Sequence, residues 1–376
     1  MPVRQTKFIE LQMAKKKKNK GFSLFWKRFI TVLQVSAVLI LWFCALTAFI
    51  SPEHCKALII FSLGFPFALA AVIMTLFLSL IFTFKRTWIS LVGLLACFGS
   101  IRTYMPINLP HTAPSNAFTV MTFNTHALGD YLSDDGRHEM ITYLRQSDVD
   151  FIVAQETFSH VSETMDSLKY TFPYSEKVAD CSPGQTLFSK YPILNCRLLD
   201  ESQPCVVIYD VKLSPEDTLT IVSCHLQSTK IKDEDREKFS AFVYNTAANE
   251  EEVDIEASGM SIISSLMENS KKRAEQVDSI AKLLEPFEGK KLILCGDFND
   301  TPISYAREKI RSSLGLTDCF RATGNGIGRS YNRYGMYVRI DHMFCSDLLK
   351  PYEAHVDKGI TASDHYPLIC KFRVRQ

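Results

Sequence analysis

Charge is missing from long parts of this chain. Phe29–Ile50 runs 22 residues without a formal charge, Ala57–Phe84 runs 28, and Thr87–Ile101 runs 15. Core helices of a soluble domain carry polar residues along one side at such lengths, and these carry almost none. The first two stretches each suffice to cross a hydrocarbon core of about 30 Å at about 1.5 Å per residue. No small-residue cleavage site follows the first stretch, which is also too long for a plain signal peptide. No short-spaced cysteine pair is present, so a structural zinc site is not indicated. There are no internal repeats. The body has no basic excess either. Residues 1–102 hold 13 Lys/Arg against 2 Asp/Glu, whereas the remainder holds 29 against 39. An acidic body is a poor non-specific binder of nucleic acid, because phosphate contacts need Lys and Arg. No stripe of Arg or Lys interleaved with aromatics compensates for this.

What is present divides the chain in order. Residues 1–28 form a basic tail with the run Lys15–Lys18, expected on the cytoplasmic side. Residues 29–102 form a transmembrane region of about three helices, over 29–50, 57–84 and 87–104. The third is short, and Arg102 must snorkel if it spans. Nine Lys/Arg precede the first span, Lys56 lies between the first two, and Lys85-Arg86 precede the third. The excess of positive charge places the amino terminus and the Lys85-Arg86 loop in the cytoplasm. With three spans the body lies outside the cytoplasmic membrane; with two it lies inside. Eight cysteines fall in the body. Cys224, Cys295 and Cys370 sit in strand-like runs, and buried thiols there favour a reducing setting mildly. We take three spans and an extracytoplasmic body. Residues 103–116, with Pro110 and Pro114, read as a linker, and 117–376 as the catalytic domain.

Within the body, apolar runs end in polar marks. Phe118–Phe123 ends at Asn124-Thr125-His126, and Val149–Ala154 leads to Gln155-Glu156. Leu219–Cys224 ends at His225, Leu292–Cys295 runs through Gly296 to Asp297-Phe298-Asn299, and Val338–Cys345 holds Asp341. Gly184–Ser189, Cys205–Leu213 and Ile369–Val374 are further strands, the last preceded by Asp364-His365. Arg137–Ser147, Val161–Leu168 and Arg273–Leu284 read as helices, the last amphipathic with Val277, Ile280, Ala281 and Leu284 on one face. Residues 230–270, with the acidic run Glu250–Glu252, read as a long loop with helical pieces. Arg321, Arg329, Arg333 and Arg339 precede or lie in the Asp341 segment, as substrate contacts or as a solvated loop.

Each polar mark alone has a plain explanation: a turn residue at Asn124, a helix cap at Glu156, a structural histidine at His225, an ordinary ion pair at Asp341. Asp297 and Asn299 are two apart, so on an extended backbone they project to one side. A carboxylate and a carboxamide there suit a hard cation and a phosphate oxygen. Active sites of layered α/β proteins collect where strand ends converge.

Taken together, Thr122-Phe123-Asn124, Gln155-Glu156, His225-Leu226-Gln227-Ser228, Gly296-Asp297-Phe298-Asn299, Arg339-Ile340-Asp341-His342 and Ser363-Asp364-His365 resemble the signatures of the endonuclease/exonuclease/phosphatase superfamily. Arg273-Ala274-Glu275-Gln276 resembles a further recurrent feature. The resemblance covers residues 117–376 and suggests a membrane-anchored bacterial-type member. It implies an α/β (α+β) fold, a four-layer α/β sandwich with two mixed β-sheets, behind an N-terminal transmembrane helical region. It implies a metal-dependent phosphoric ester hydrolase. Glu156 resembles the main Mg²⁺ ligand, with Asn124 and Asp364 nearby, and Mn²⁺ as the alternative ion. His365 resembles the histidine on the scissile phosphate, oriented by Asp341. Asp297 resembles the base that takes a proton from water. Asn299 and His225 resemble phosphate contacts with catalytic parts, His225 as general acid, and Asn124 and Arg273 are further substrate-binding candidates. The implied partner is a phosphoester, whether lipid head group, nucleotide or nucleic acid, and no protein partner is inferable. The competing reading is a catalytically silent, membrane-tethered module that binds a phosphate ligand.

Overall fold

The computed structural model describes residues 2–129, 135–158, 160–178, 180–203, 205–231, 234–235, 255–333 and 338–375. Of the long loop expected over 230–270, residues 236–254, with the acidic run Glu250–Glu252, lie outside the described residues, whereas 255–270 are not loop but the first half of a helix that runs to Leu284. The chain divides into two compact units.

Unit 1 comprises Met1–Leu46 and Leu63–Ile101. Helix α1 spans Pro2–Leu46, α2 Leu58–Phe82, α3 Trp88–Ala96 and α4 Phe98–Tyr104. Two helices, Leu24–Phe49 and Leu58–Phe82, are long and apolar enough to cross a membrane; the pair Phe84–Ala96 and Phe98–Tyr104, bent by 61°, makes a third if it counts as one span. Small residues let α1 and α3 approach. A Cβ on Gly93 would lie 2.6 Å from Val38, and the Gly93 carbonyl accepts from Trp42 Nε1 at 3.1 Å. Gln34 Nε2 donates to Ser90 Oγ at 2.8 Å in the same buried seam, which satisfies a polar group that lipid could not.

Unit 2 comprises Thr47–Ser62 and Arg102–Gln376. Its strands are β1 Phe118–Asn124, β2 Phe151–Gln155, β3 Tyr174–Lys177, β4 Gln185–Ser189, β5 Ile193–Leu198, β6 Val206–Ser214, β7 Asp217–His225, β8 Leu292–Asp297, β9 Thr317–Asp318, β10 Asp341–Cys345, β11 Leu349–Val356 and β12 Leu368–Val374. They form two six-stranded mixed sheets, ordered β11-β12-β1-β2-β4-β3 and β5-β6-β7-β8-β10-β9. The helices are α5 Gly136–Gln146, α6 Val161–Leu168, α7 Ile255–Leu284, α8 Tyr305–Ser313 and α9 Cys319–Thr323.

Alternation along the strands makes the layers. In β1, Val120 faces the other sheet and joins Phe151, Val207, Tyr209, Ile221 and Ile293 in a core between the sheets. Its neighbour Met121 faces outward and packs with Phe123, Ile152 and the α5 residues Met140 and Leu144. On the other side Val222, Leu292 and Leu294 turn outward onto Val277, Ile280 and Leu284 of α7 and Ile310 of α8. The three cores define helix, sheet, sheet and helix, the expected four-layer α/β sandwich.

Residues 102–109 lie against the segment that leads to β10. Arg339 Nη2 donates to the Thr103 carbonyl at 2.7 Å, and Asn108 Nδ2 donates to the carbonyls of Arg321 at 3.2 Å and Gly324 at 2.6 Å. Arg339 is 1% exposed and lies over the Phe320 ring at 4.1 Å. It is therefore neither a substrate contact nor part of a solvated loop.

Candidate active site

Each sheet has one parallel pair at its centre, and the site is built where the two pairs end. In one sheet β1 runs beside β2, with Asn124 level with Gln155; in the other β7 runs beside β8, with His225 level with Asp297. Strand β10 runs antiparallel to β8 and sets Asp341 opposite Asp297. Gly296 is required for this packing. Its φ is +142°, and a Cβ would fall 1.9 Å from the Cys224 carbonyl oxygen. Glu156 and Asn299 leave their strands at φ +57° and +50°. Asparagine adopts this region readily, whereas glutamate does so at a cost of about 1–3 kcal/mol, which marks a position fixed by its surroundings.

The Asn124 amide links the two sheets. Nδ2 donates to Glu156 Oε1 and to Asp297 Oδ2, both at 3.0 Å, and Oδ1 accepts from the His126 amide at 3.1 Å. Asp297 is 1% exposed, and its Oδ1 accepts from the Asn299 amide at 2.8 Å. His225 Nε2 lies 3.6 Å from Glu156 and 3.7 Å from Asp297. His365 lies between two carboxylates, with Nδ1 2.8 Å from Asp341 Oδ2 and Nε2 3.7 Å from Asp297 Oδ2. The Tyr331 ring meets the His365 imidazole edge-on at 5.3 Å.

Electrostatics sort these groups. Burial alone would lower the His365 pKa, but the charges of Asp341 and Asp297 overcome it and hold the ring well above the usual histidine range. Burial pushes Asp297 upward against the pull of His365 and His225, with Asp341 adding to the rise. A carboxylate raised in this way is a better base than one in water.

Asp364 is arranged differently. Burial opposes its ionisation, yet the hydrogen bond from His126, with the His365 charge, draws it down to about 2. His126 Nδ1 lies 3.0 Å from Asp364 Oδ1. His126 was not among the residues picked out from sequence. Its signal was its place in Asn124-Thr125-His126, at the strand end that already supplies Asn124.

Among the described residues, one group of ligand atoms is close enough to share a cation. Ligand atoms of Asp297, Asp341 and His365 lie within 4.8 Å of one another and all three residues are buried. Both nitrogens of that imidazole face carboxylates, however, and a protonated ring has no lone pair to give a metal. Of the residues expected to hold Mg²⁺, Asn124 and Glu156 are joined by a 3.0 Å hydrogen bond, and Asp364 meets His126. The Glu156 and Asp364 side chains are 25% and 18% exposed, so both can be reached from outside. Their oxygens are the hard donors that suit Mg²⁺.

Two further expected residues have their polar atoms engaged. Asn299 Nδ2 donates to the Leu226 carbonyl at 3.1 Å. Arg273 is 1% exposed; Nη1 donates to the Gln227 carbonyl at 3.1 Å and Nε lies 3.4 Å from Asp300 Oδ2. It lies beneath the loop that carries Asn299.

The model of the Endonuclease/Exonuclease/phosphatase family matches residues 121–365, from β1 through His365. The chain belongs to the endonuclease/exonuclease/phosphatase family. A model of a domain of unknown function matches residues 27–104. No curated protein matches the chain. Solved structures similar to it include an endonuclease/exonuclease/phosphatase from Beutenbergia cavernae, at 16% identity over 69% of this chain and 72% of that one, with a TM-score of 0.46. TDP2 of D. rerio, complexed with a single-strand DNA product, is similar at 14% identity over 69% and 100%, with a TM-score of 0.48. Sphingomyelinase C of Streptomyces griseocarneus is similar at 14% identity over 68% and 99%, with a TM-score of 0.44. Members of the endonuclease/exonuclease/phosphatase family are phosphoester hydrolases that typically use a divalent metal, and this chain is an enzyme of that class.

Proposed function

We propose that the protein is a membrane-anchored, Mg²⁺-dependent phosphoesterase of the cytoplasmic membrane, with its catalytic body outside the cytoplasm. The observation that carries the chemistry is the Asn124 amide between Glu156 and Asp297, 3.0 Å from each, beside an imidazole held between Asp297 and Asp341. Glu156, Asp364 and Asn124 would hold the ion, with Mn²⁺ as a substitute. When bound, the ion supplies charge neutralisation at the non-bridging phosphoryl oxygens. The remaining work falls to this chain's own groups. Asp297, raised by burial, takes a proton from the attacking water. His365, kept protonated by its two carboxylates, faces the charge that builds on phosphate. Asn299 and His225 contact phosphoryl and leaving oxygens, and Arg273 holds the Asn299 loop from beneath. The net negative body and the apolar helices favour a phosphoester presented at a bilayer over a DNA groove. Nucleotide and nucleic acid remain arms of the test.

The test uses the full chain in detergent or nanodiscs with bis-p-nitrophenyl phosphate, DNA and phospholipid, with and without Mg²⁺. We expect metal-dependent turnover that is lost in Asp297→Ala. Absence of metal-dependent turnover in the parent would overturn the reading and leave the silent binding module.

Two observations support the extracytoplasmic placement. Basic residues crowd the amino terminus. The segment between the two long apolar helices, Thr47–Ser62, belongs to the same compact unit as the body. If α1 and α2 each cross the membrane, that segment is opposite the amino terminus. The body shares its side only if the bent pair α3–α4 crosses too. Cys55 is exposed in this segment. An impermeant maleimide applied to intact cells should label it, with the label lost in Cys55→Ser. Labelling only after permeabilisation would reverse the orientation.

A further inference from the structure

We infer that the segment joining the two long apolar helices is a positioning element for the catalytic loop, acting through Ser62. The inference rests on the phosphoesterase reading for its effect on rate, but not for the contact itself.

Ser62 lies in the early turns of α2 and is 3% exposed. A serine or threonine inside an apolar helix ordinarily returns its hydroxyl to its own backbone. Two others in α2 do so: Thr75 donates to the Val72 carbonyl at 3.0 Å, and Ser79 to the Leu76 carbonyl at 2.8 Å. Ser62 does not. Its hydroxyl donates to the Ile303 carbonyl and lies 3.1 Å from Thr301 Oγ1, both in the loop between β8 and α8. Thr301 and Ile303 are 4% and 2% exposed, so no water replaces these partners.

That loop begins with the proposed base. Asp297 opens it, Asn299 follows, and Thr301 comes two residues later. Its first half is held from within the body: Asp297 accepts from the Asn299 amide, and Asp300 meets Arg273 and, through its carbonyl, His342 Nε2 at 2.9 Å. The second half, Thr301–Ile303, is held by Ser62. Beyond it, the short helical turn Thr47–Phe49 packs against α8, with Thr47 and Ala48 buried. The Tyr305 hydroxyl, at the start of α8, donates to Asp278 at 2.7 Å. The joining segment therefore grips both the end of the catalytic loop and the start of the helix after it. The position of Asp297 and Asn299 depends on a residue of an apolar helix far away in sequence.

The test compares Ser62→Ala, Thr301→Val and the double variant with the parent, all as full chains in nanodiscs. Amide hydrogen exchange is read over residues 298–304, and kcat and KM are read on the phosphoester that the parent turns over. Ser62→Ala should speed exchange in that loop by about tenfold, because local protection follows local anchoring. It should lower kcat by about tenfold with KM within about twofold, because misplacing a reacting group slows chemistry without weakening binding. The double variant should be no worse than Ser62→Ala, since Thr301→Val removes only one of the two contacts that Ser62→Ala already removes. Thr75→Val, which loses only a bond within its own helix, should match the parent on both readouts. Parental exchange over 298–304 in Ser62→Ala, or additive effects in the double variant, would overturn the inference. If the parent has no turnover, the phosphoesterase reading fails while the exchange measurement still decides this one. If Ser62→Ala does not fold, Thr301→Val reports the Thr301 part of the contact from the loop side, and faster exchange over 298–304 is still expected.

Discussion

The two sheets repeat one pattern of pairing. Each has a parallel pair at its centre, β1 with β2 and β7 with β8, flanked on both sides by antiparallel neighbours. What they present at the strand ends differs. The first sheet and its loops offer Asn124, Glu156 and Asp364, two of them carboxylates within reach of solvent. The second offers His225, Asp297 and Asp341, all buried at 5% exposure or less. On the proposed reading the first end holds the hydrated cation. The other suits proton transfer, because carboxylates and imidazoles set close together in low dielectric shift one another's pKa. His365, from the loop before β12, joins the first sheet's chain segment to the second sheet's acids. The shared architecture supplies two adjacent strand ends, and in the proposed reading residue choice divides cation binding from proton chemistry.

The largest effect should come from the buried side. Asp297→Ala removes the proposed base and should lower turnover by about 10²–10⁴-fold, with no recovery at high Mg²⁺. The solvent-facing side should respond differently. Glu156→Gln should raise the half-saturating Mg²⁺ concentration by at least about tenfold, and excess metal should restore much of the rate. A metal titration of both variants against one substrate checks the division. Rescue of Asp297→Ala by metal, or none for Glu156→Gln, would dissolve the contrast between the sheets.

The same comparison shows what could be read beforehand. Every central strand was legible, because burial on both faces demands an unbroken apolar run, as in Leu292–Cys295 or Phe118–Phe123. The strands that escaped, β3, β11, β5 and β9, are the outermost strands of the two sheets. An edge strand is partly wet and can carry polar residues: Tyr174–Lys177 has no fully buried residue, and Leu349–Val356 contains Pro351. Helix α7 begins at Ile255, well before the amphipathic stretch from Arg273, in a part of the chain read from sequence as a loop with helical pieces. The polar marks were legible because each ends a central strand. Ser62 was not, because one hydroxyl in an apolar helix carries no sign that its partner lies in another loop. The position of Arg273 beneath the loop was equally hidden: composition shows a charge and says nothing about what buries it.

The next prediction probes the link between the sheets. In Asp341→Asn the imidazole of His365 loses one of the carboxylates that hold its pKa above the usual histidine range. The sign follows directly. A raised pKa keeps the ring protonated to higher pH, so losing Asp341 should move the alkaline limb of the rate profile to lower pH. The stability that this pair contributes is present below the unfolded histidine pKa and is lost as pH rises through the folded one. In the variant the loss should therefore begin earlier on the alkaline side. A kcat–pH profile with an unmoved alkaline limb would mean that Asp297 and Asp364 hold the proton on His365 without Asp341.

The smallest effect is expected at Arg273, and its form matters more than its size. The guanidinium reaches the Gln227 carbonyl and Asp300 together, and a lysine ammonium cannot reproduce that fork. Arg273→Lys should therefore cost about 1 kcal/mol at the loop, roughly fivefold in kcat, with KM unchanged. Were Arg273 instead a direct phosphate contact, KM would rise and kcat would hold, because the lost interaction would act on bound substrate and transition state alike. At 1% exposure the side chain has no path to a substrate that leaves its own partners in place. A pure KM effect would therefore require the Asn299 loop to open during turnover, and would place Arg273 on the substrate side of a loop that the resting structure keeps closed.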